Sequence, residues 1–274
     1  MKLRAVLAAP PAEVFEALTS PAQLRKWFAE EATAEGFWGR WTPQGDKPHQ
    51  TVTTAEPHSH LQFEWLLDDV QTTVDIGLTP SGTGTELTLH QWPLPTLGEL
   101  MSPPGRRDGR HTMHTFWPLA LGNLAAHLAG QPPLLCDFTP DRATEIRVRL
   151  TIGAPAEAVW RSLTTPAEVE RWWGYAPKIE PGVGGTVTFG AEGQVSEWEP
   201  NRVFAYAEEG MTTRWELSES DGVTTLTFTQ SGFTPDERDN AAQHEAGWQG
   251  GLLELRRMHE LGTEWTPLTR ELQE

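Results

Sequence analysis

At 274 residues the chain exceeds the usual single-domain size of roughly 100–150 residues, so two domains are expected, each able to bury its own core. A hydrophobic content of 38% with 22% charged residues is globular composition and argues against disorder and against a membrane-spanning run. Lys and Arg number 21 against 38 Asp and Glu, and a formal charge of −17 argues against nucleic acid or an anionic membrane as partner.

Leu3, Ala5 and Leu7 alternate with Lys2 and Arg4, the pattern of a half-buried first strand. The apolar run here is too short for a signal peptide, so a cytoplasmic protein is expected. Proline then sits where a first helical turn tolerates it, and Val14, Ala17 and Leu18 recur at helical spacing. Pro21 ends that helix and starts another, in which Leu24, Trp27 and Phe28 share one face. Strand patterns follow, among them Phe63-x-Trp65 and Thr85 to Leu89. A closing helix from about Asp108 to Leu128 carries Trp117, Leu121 and Leu124.

Gly130, Pro132 and Pro133 cannot continue that helix, and residues 131–142 read as a linker between a first domain at 1–130 and a second at 143–274. The second part then repeats the first. Pro155 to Trp173 answers Pro10 to Phe28 at a constant spacing of 145 residues, with Val159 in the place of Val14 and Trp172 in that of Trp27. A period of this length is domain duplication, well beyond the 20–50 residues of a solenoid repeat.

Ile146, Val148, Leu150 and Ile152 form the second opening strand. Short strands follow at Val195–Trp198, Val203–Tyr206, Thr212–Leu217 and Val223–Thr229, punctuated by Glu-Pro-Asn, Glu-Glu-Gly and Ser-Asp-Gly turns. Their spacing leaves no room for crossover helices, so the sheet is antiparallel. A second closing helix runs from about Asp236 to Leu261 with Trp248, Leu252 and Leu255. The fold class is therefore α+β in two copies: strand, two short helices, antiparallel strands, long helix.

The segments A-P-A-E-A-V-W-R-S-L-T-T-P-A-E-V-E-R-W-W, G-Q-V-S-E-W-E-P-N-R-V-F-A-Y, T-T-L-T-F-T-Q-S-G-F and G-W-Q-G-G-L-L-E-L resemble the START-like (SRPBCC) superfamily. More narrowly they resemble the branch related to the C-terminal domain of the 90-kDa heat-shock-protein ATPase activator. The likeness covers about Thr144 to Leu261. The first half departs from it where Ser-Gly-Phe becomes Trp92-Pro93-Leu94 and Gly-Trp becomes Phe116-Trp117-Pro118. The resemblance implies a helix-grip fold, a curved antiparallel sheet wrapped around the long closing helix with an apolar cavity between them. It also implies one of three roles: a binder of small hydrophobic molecules, a chaperone-associated protein of the stress response, or a cyclase- or hydrolase-like enzyme.

Aromatic residues are the loudest chemical signal, with 13 Trp and 10 Phe beside 2 Tyr. The candidate cavity residues of the first half are Trp27, Phe28, Trp38, Phe63, Trp65 and Trp117. Those of the second half are Trp172, Trp173, Phe189, Trp198, Phe204 and Tyr206, with Trp215 and Trp248. Such rings wall small-molecule pockets, and they are equally ordinary core material.

His111 and His114 lie three apart on a helix and His58 and His60 flank a serine, but pairs without converging third and fourth ligands predict no metal. Cys136 is the single cysteine, in the expected linker, and no G-x-S-x-G elbow is present, so no nucleophile is predicted. Glu197, Glu216 and Asp75 are strand carboxylates with an even chance of facing out, and no catalytic residue or cofactor is assigned. The expected activity is non-catalytic binding of a small hydrophobic ligand, with chaperone or other protein binding as the alternative. The duplicated halves would take the place of a homodimer in a pseudo-symmetric monomer.

Overall fold

The computed structural model describes residues 1–96, 99 and 109–272. The chain splits into two compact units. Unit 1 holds Met1–Arg142, Ala242–Gly250 and Leu268–Glu274, and unit 2 holds Ala143–Ala241 and Gly251–Pro267.

Unit 1 opens with β1 (Lys2–Leu7), α1 (Pro11–Thr19) and α2 (Pro21–Trp27), then β2 (Glu31–Ala32) and β3 (Phe37–Trp38). The meander β4 (Gln50–Glu56), β5 (His60–Leu67), β6 (Val70–Ser81) and β7 (Gly84–Trp92) follows, and α3 (Gly109–Leu128) closes it. Asp108, the expected first residue of that helix, lies outside the described residues. Unit 2 repeats the order: β8 (Ile146–Ile152), α4 (Ala156–Thr164), α5 (Pro166–Trp173), β9 (Lys178–Ile179) and β10 (Thr186–Thr188). After these come β11 (Glu192–Glu199), β12 (Val203–Glu208), β13 (Met211–Ser220), β14 (Val223–Ser231) and α6 (Arg238–Leu261), of which residues 242–250 belong to unit 1. A last strand, β15 (Thr269–Glu271), was not foreseen from the sequence.

Every strand pair is antiparallel, as the short connections demand. The sheet of unit 1 has the order β15-β1-β7-β6-β5-β4, and that of unit 2 the order β8-β14-β13-β12-β11-β10-β9. β15 pairs with β1 in the register Leu3↔Glu271, whereas among the described residues β8 is itself the edge strand of the other sheet. In unit 1, Met113, Phe116, Trp117, Ala120 and Leu121 of α3 share one core with Leu61, Phe63 and Trp65 of the sheet, so the sheet grips its helix through apolar side chains.

Duplication shows in the hydrogen bonds as well as in the order of elements. The indole N–H of Trp27 donates to the Ala17 carbonyl at 3.2 Å, and that of Trp172 donates to the Ser162 carbonyl at 2.9 Å. Each bond ties the second short helix to the first. Thr85 donates to the Ala9 carbonyl at 2.7 Å and Thr224 to the Ala154 carbonyl at 2.6 Å, fixing the chain as it leaves the opening strand. Residues 131–142 carry no helix or strand. Leu134 and Cys136 within them are buried, and the backbone of Leu134 exchanges two hydrogen bonds with the Asn123 side chain.

Candidate ligand site

The first-half rings come together as one cluster. Phe28 touches Phe37 at 4.6 Å between centroids, Phe37 meets Trp65 edge-on at 5.3 Å, and Trp65 meets Trp117 at 6.3 Å. Trp27, Phe28, Phe63 and Trp117 border an apolar cavity of only about 20 Å³, room for one water-sized group. Trp38 stands apart: it is half-buried in β3, opposite Glu31, and does not border that cavity. A second hollow of about 10 Å³ lies beside Trp41 and Cys136.

The second-half rings also cluster. Trp172 and Trp173 at the end of α5 lie 5.5 Å apart, and Trp173 meets Phe189 at 6.2 Å. Phe189 stacks on Tyr206 at 6.0 Å, and Phe204 stacks on Trp215 at 5.1 Å. Trp198 lies toward the other end, against Phe204 and Trp160. Trp248 falls in the stretch of α6 that belongs to unit 1.

Two polar features escaped the sequence reading. The first is a buried bridge present in both copies. Gln91 donates from Nε2 to the Thr72 hydroxyl at 3.0 Å, and Gln230 does the same to Thr213 at 3.1 Å. In unit 1 the amide oxygen of Gln91 also accepts the Trp117 indole N–H at 2.6 Å. The alignment of Thr85–Leu89 with Thr224–Phe228, carried two residues further, would have shown it.

The second feature occurs in one copy. Thr72 faces Trp65 across β5 and β6, and Thr213 faces Tyr206 across β12 and β13. This register sets Tyr206 against Trp65 and, two residues on, Glu208 against Leu67. Leu67 is wholly buried, and Glu208 is 8% exposed. A carboxyl group therefore stands where the duplicate keeps an apolar side chain. Its Oε2 has no hydrogen-bond partner. Burial first, and then the like charge of Glu209, push its pKa above the ordinary value of 4.5, against a lowering contact with the Ala191 backbone. Burial and then Glu208 push the Tyr206 hydroxyl well above its usual range.

Glycine makes room for this arrangement. Gly193 lies at the start of β11, where a Cβ would come 2.5 Å from the Ala207 carbonyl oxygen and 2.9 Å from Glu208 Cβ. Gly174 ends α5 with φ +98°, a left-handed conformation that turns the chain toward the half-exposed Tyr175.

The carboxylates singled out from the sequence face elsewhere. Glu197 and Glu216 both pair with Arg214 on the outer face of the sheet, and Asp75 accepts hydrogen bonds from His60 and Gln62 at 2.9 Å. His114 contacts the Pro95 carbonyl and His127 the Gln23 amide. Among the described residues no three His, Cys, Asp or Glu side chains gather as metal ligands.

The model of the family described as Activator of Hsp90 ATPase homolog 1-like protein matches residues 8–129 and again 153–260. The chain belongs to this family. Its two matches are the two copies of the duplication, so the START-like identity holds for both halves. Among solved structures, protein MLL2253 from Mesorhizobium loti is 25% identical over 43% of this chain and 98% of its own, with a TM-score of 0.38. The Aha1 dimer from Colwellia psychrerythraea is 24% identical over 44% and 99%, with a TM-score of 0.39. DynU16, a putative protein in the dynemicin biosynthetic locus, is 19% identical over 93% and 97%, with a TM-score of 0.37. No curated protein matches the chain. None of its described helices is long and apolar enough to cross a membrane.

Proposed function

We propose that the protein is a non-catalytic binding module in which unit 2 takes a small, largely apolar molecule at the Tyr206–Glu208 end of β12, while unit 1 is a filled copy. The observation that carries this reading is the buried, unpartnered Glu208 Oε2. Burying a carboxyl oxygen without a partner is costly, and an oxygen left unpartnered beside aromatic rings is accounted for by a ligand that supplies one. The cavity of about 20 Å³ in unit 1 supports leaving that copy unoccupied, because pockets for small molecules are many times larger.

Native mass spectrometry of the freshly purified protein, followed by denaturing extraction, tests the reading. One small apolar adduct per chain is expected, and it should vanish in the double variant Tyr206→Trp, Glu208→Leu, which rebuilds unit 2 with the residues of unit 1. An adduct unchanged by that variant would sink the assignment to this end of β12.

A second reading is favoured by the filled core of unit 1 and by the family description: the protein acts on a chaperone of the Hsp90 class in the cytoplasm, as part of a stress response. Measuring the ATPase rate of such a chaperone with and without the protein decides it. Stimulation that survives the double variant would make protein binding, and not the small molecule, the main activity. In either reading one chain per particle is expected, and light scattering reads it directly.

A further inference from the structure

Resting on unit 2 as the binding copy, we infer that the Glu208 site is built for an organic ammonium, an amine whose cationic head meets the carboxylate and whose apolar body lies against the rings. Glu208 is buried, with 8% of the residue exposed, yet one carboxyl oxygen has no hydrogen-bond partner. No Lys, Arg or His among the described residues forms an ion pair with it, and the charge nearest in sequence is Glu209, of the same sign. A buried carboxylate with no cationic partner and a like charge next to it in sequence calls for a cation from outside.

The surroundings fit an amine better than a metal ion. A metal would need further oxygen or nitrogen ligands, and no such cluster is found among the described residues. What stands near the carboxyl is aromatic. Tyr206 is two residues away on the same face of β12, about 7 Å along the strand, and Phe189 stacks on it with ring planes 9° apart. Trp173 meets Phe189 from the side at 6.2 Å. Tyr175 is 43% exposed, and burial first, with the charge of Glu208 as a lesser cause, raises the pKa of its hydroxyl.

Ring faces beside a carboxylate attract ammonium groups by quadrupole and charge together. Gly193 keeps the strand opposite clear of the carboxyl stem, and the acidic surface draws cations toward it. Unit 1 offers the contrast: Trp65 and Leu67 stand at these two places, and the carboxylate that follows, Asp68, already has Arg110 and Gln44 as partners.

The test uses the full chain and two soluble probes of equal size, benzylammonium and benzyl alcohol, followed by tryptophan fluorescence. The wild type should bind benzylammonium at least about tenfold more tightly, with a preference that weakens as salt is added. Glu208→Gln should abolish that preference, Glu208→Asp should retain part of it, and Tyr206→Phe should keep it because the ring remains. Near-UV spectra check that each variant is folded. Equal affinity for both probes, or a preference untouched by Glu208→Gln, overturns the ammonium assignment and leaves unit 2 as a binder of neutral molecules. Binding of neither probe, with no adduct in the native mass spectrum, overturns the binding reading itself.

Discussion

A carboxyl group buried where its duplicate carries Leu67 has a signature in pH. The folded protein holds the Glu208 proton more tightly than the unfolded chain, because burial and Glu209 raise its pKa above 4.5. The stability linked to that proton is fully present below 4.5 and is lost as pH rises through the raised value. Thermal melts of wild type and Glu208→Gln should therefore diverge with pH, the variant gaining on the wild type as pH rises above 4.5 and through the raised value. A constant gap across that range would mean that the carboxyl is as comfortable folded as unfolded. At Gly193 the constraint is steric. A Cβ 2.5 Å from the Ala207 carbonyl oxygen cannot be accommodated without moving backbone, so Gly193→Ala is expected to cost about 1–3 kcal/mol in chemical denaturation.

Secondary elements were largely legible, since they follow from local periodicity. The alternation of Ile146 to Ile152 reappears as strict alternation of buried and exposed side chains. The prolines at positions 21 and 166 start α2 and α5 as expected, and the closing helix predicted to begin at Asp236 begins at Arg238 after a 3-10 turn with a capping box at Thr234 and Glu237. What periodicity cannot show is which polar residue on a strand finds a partner across the sheet. Gln91 and Thr72 are 19 positions apart, and only the β6–β7 register brings them together. Gln91→Leu strands the Trp117 indole N–H and removes a donor from Thr72, and should cost about 1–3 kcal/mol. Combining it with Thr72→Val should cost less than the sum of the two single changes, and urea denaturation of the four proteins measures the difference.

Over the whole molecule, unit 1 is discontinuous in sequence. Its compact body includes residues 242–250 and 268–274, far from the 142 residues that begin it. Within it Arg142, almost fully buried, pairs with Glu245 at 2.7 Å, and Gln249 donates to the same carboxyl at 3.0 Å. Removing the carboxylate of such a pair takes its paired opposite charge from a buried guanidinium, so Glu245→Ala should cost about 3–5 kcal/mol in urea denaturation. A fragment of residues 1–142 should be far less stable than the intact chain, because it lacks Glu245 and leaves the β1 edge without β15. A circular dichroism melt of the fragment as cooperative as that of the intact protein would refute this.

The sequence by itself determined the duplication, the α+β class and the order of elements. Repeated residues at constant spacing and hydrophobic periods of two and 3.6 are properties of the linear chain. It also held the contrast of Leu66-Leu67-Asp68 with Ala207-Glu208-Glu209, legible only once the register was known. Tertiary structure alone decided that the rings of unit 1 leave about 20 Å³ between them, that Glu197, Glu216 and Asp75 face out while Glu208 faces in, and that β15 closes an edge. These depend on how side chains from distant positions fill a shared volume, and a strand of three residues such as Thr269–Glu271 is too short to write any period of its own.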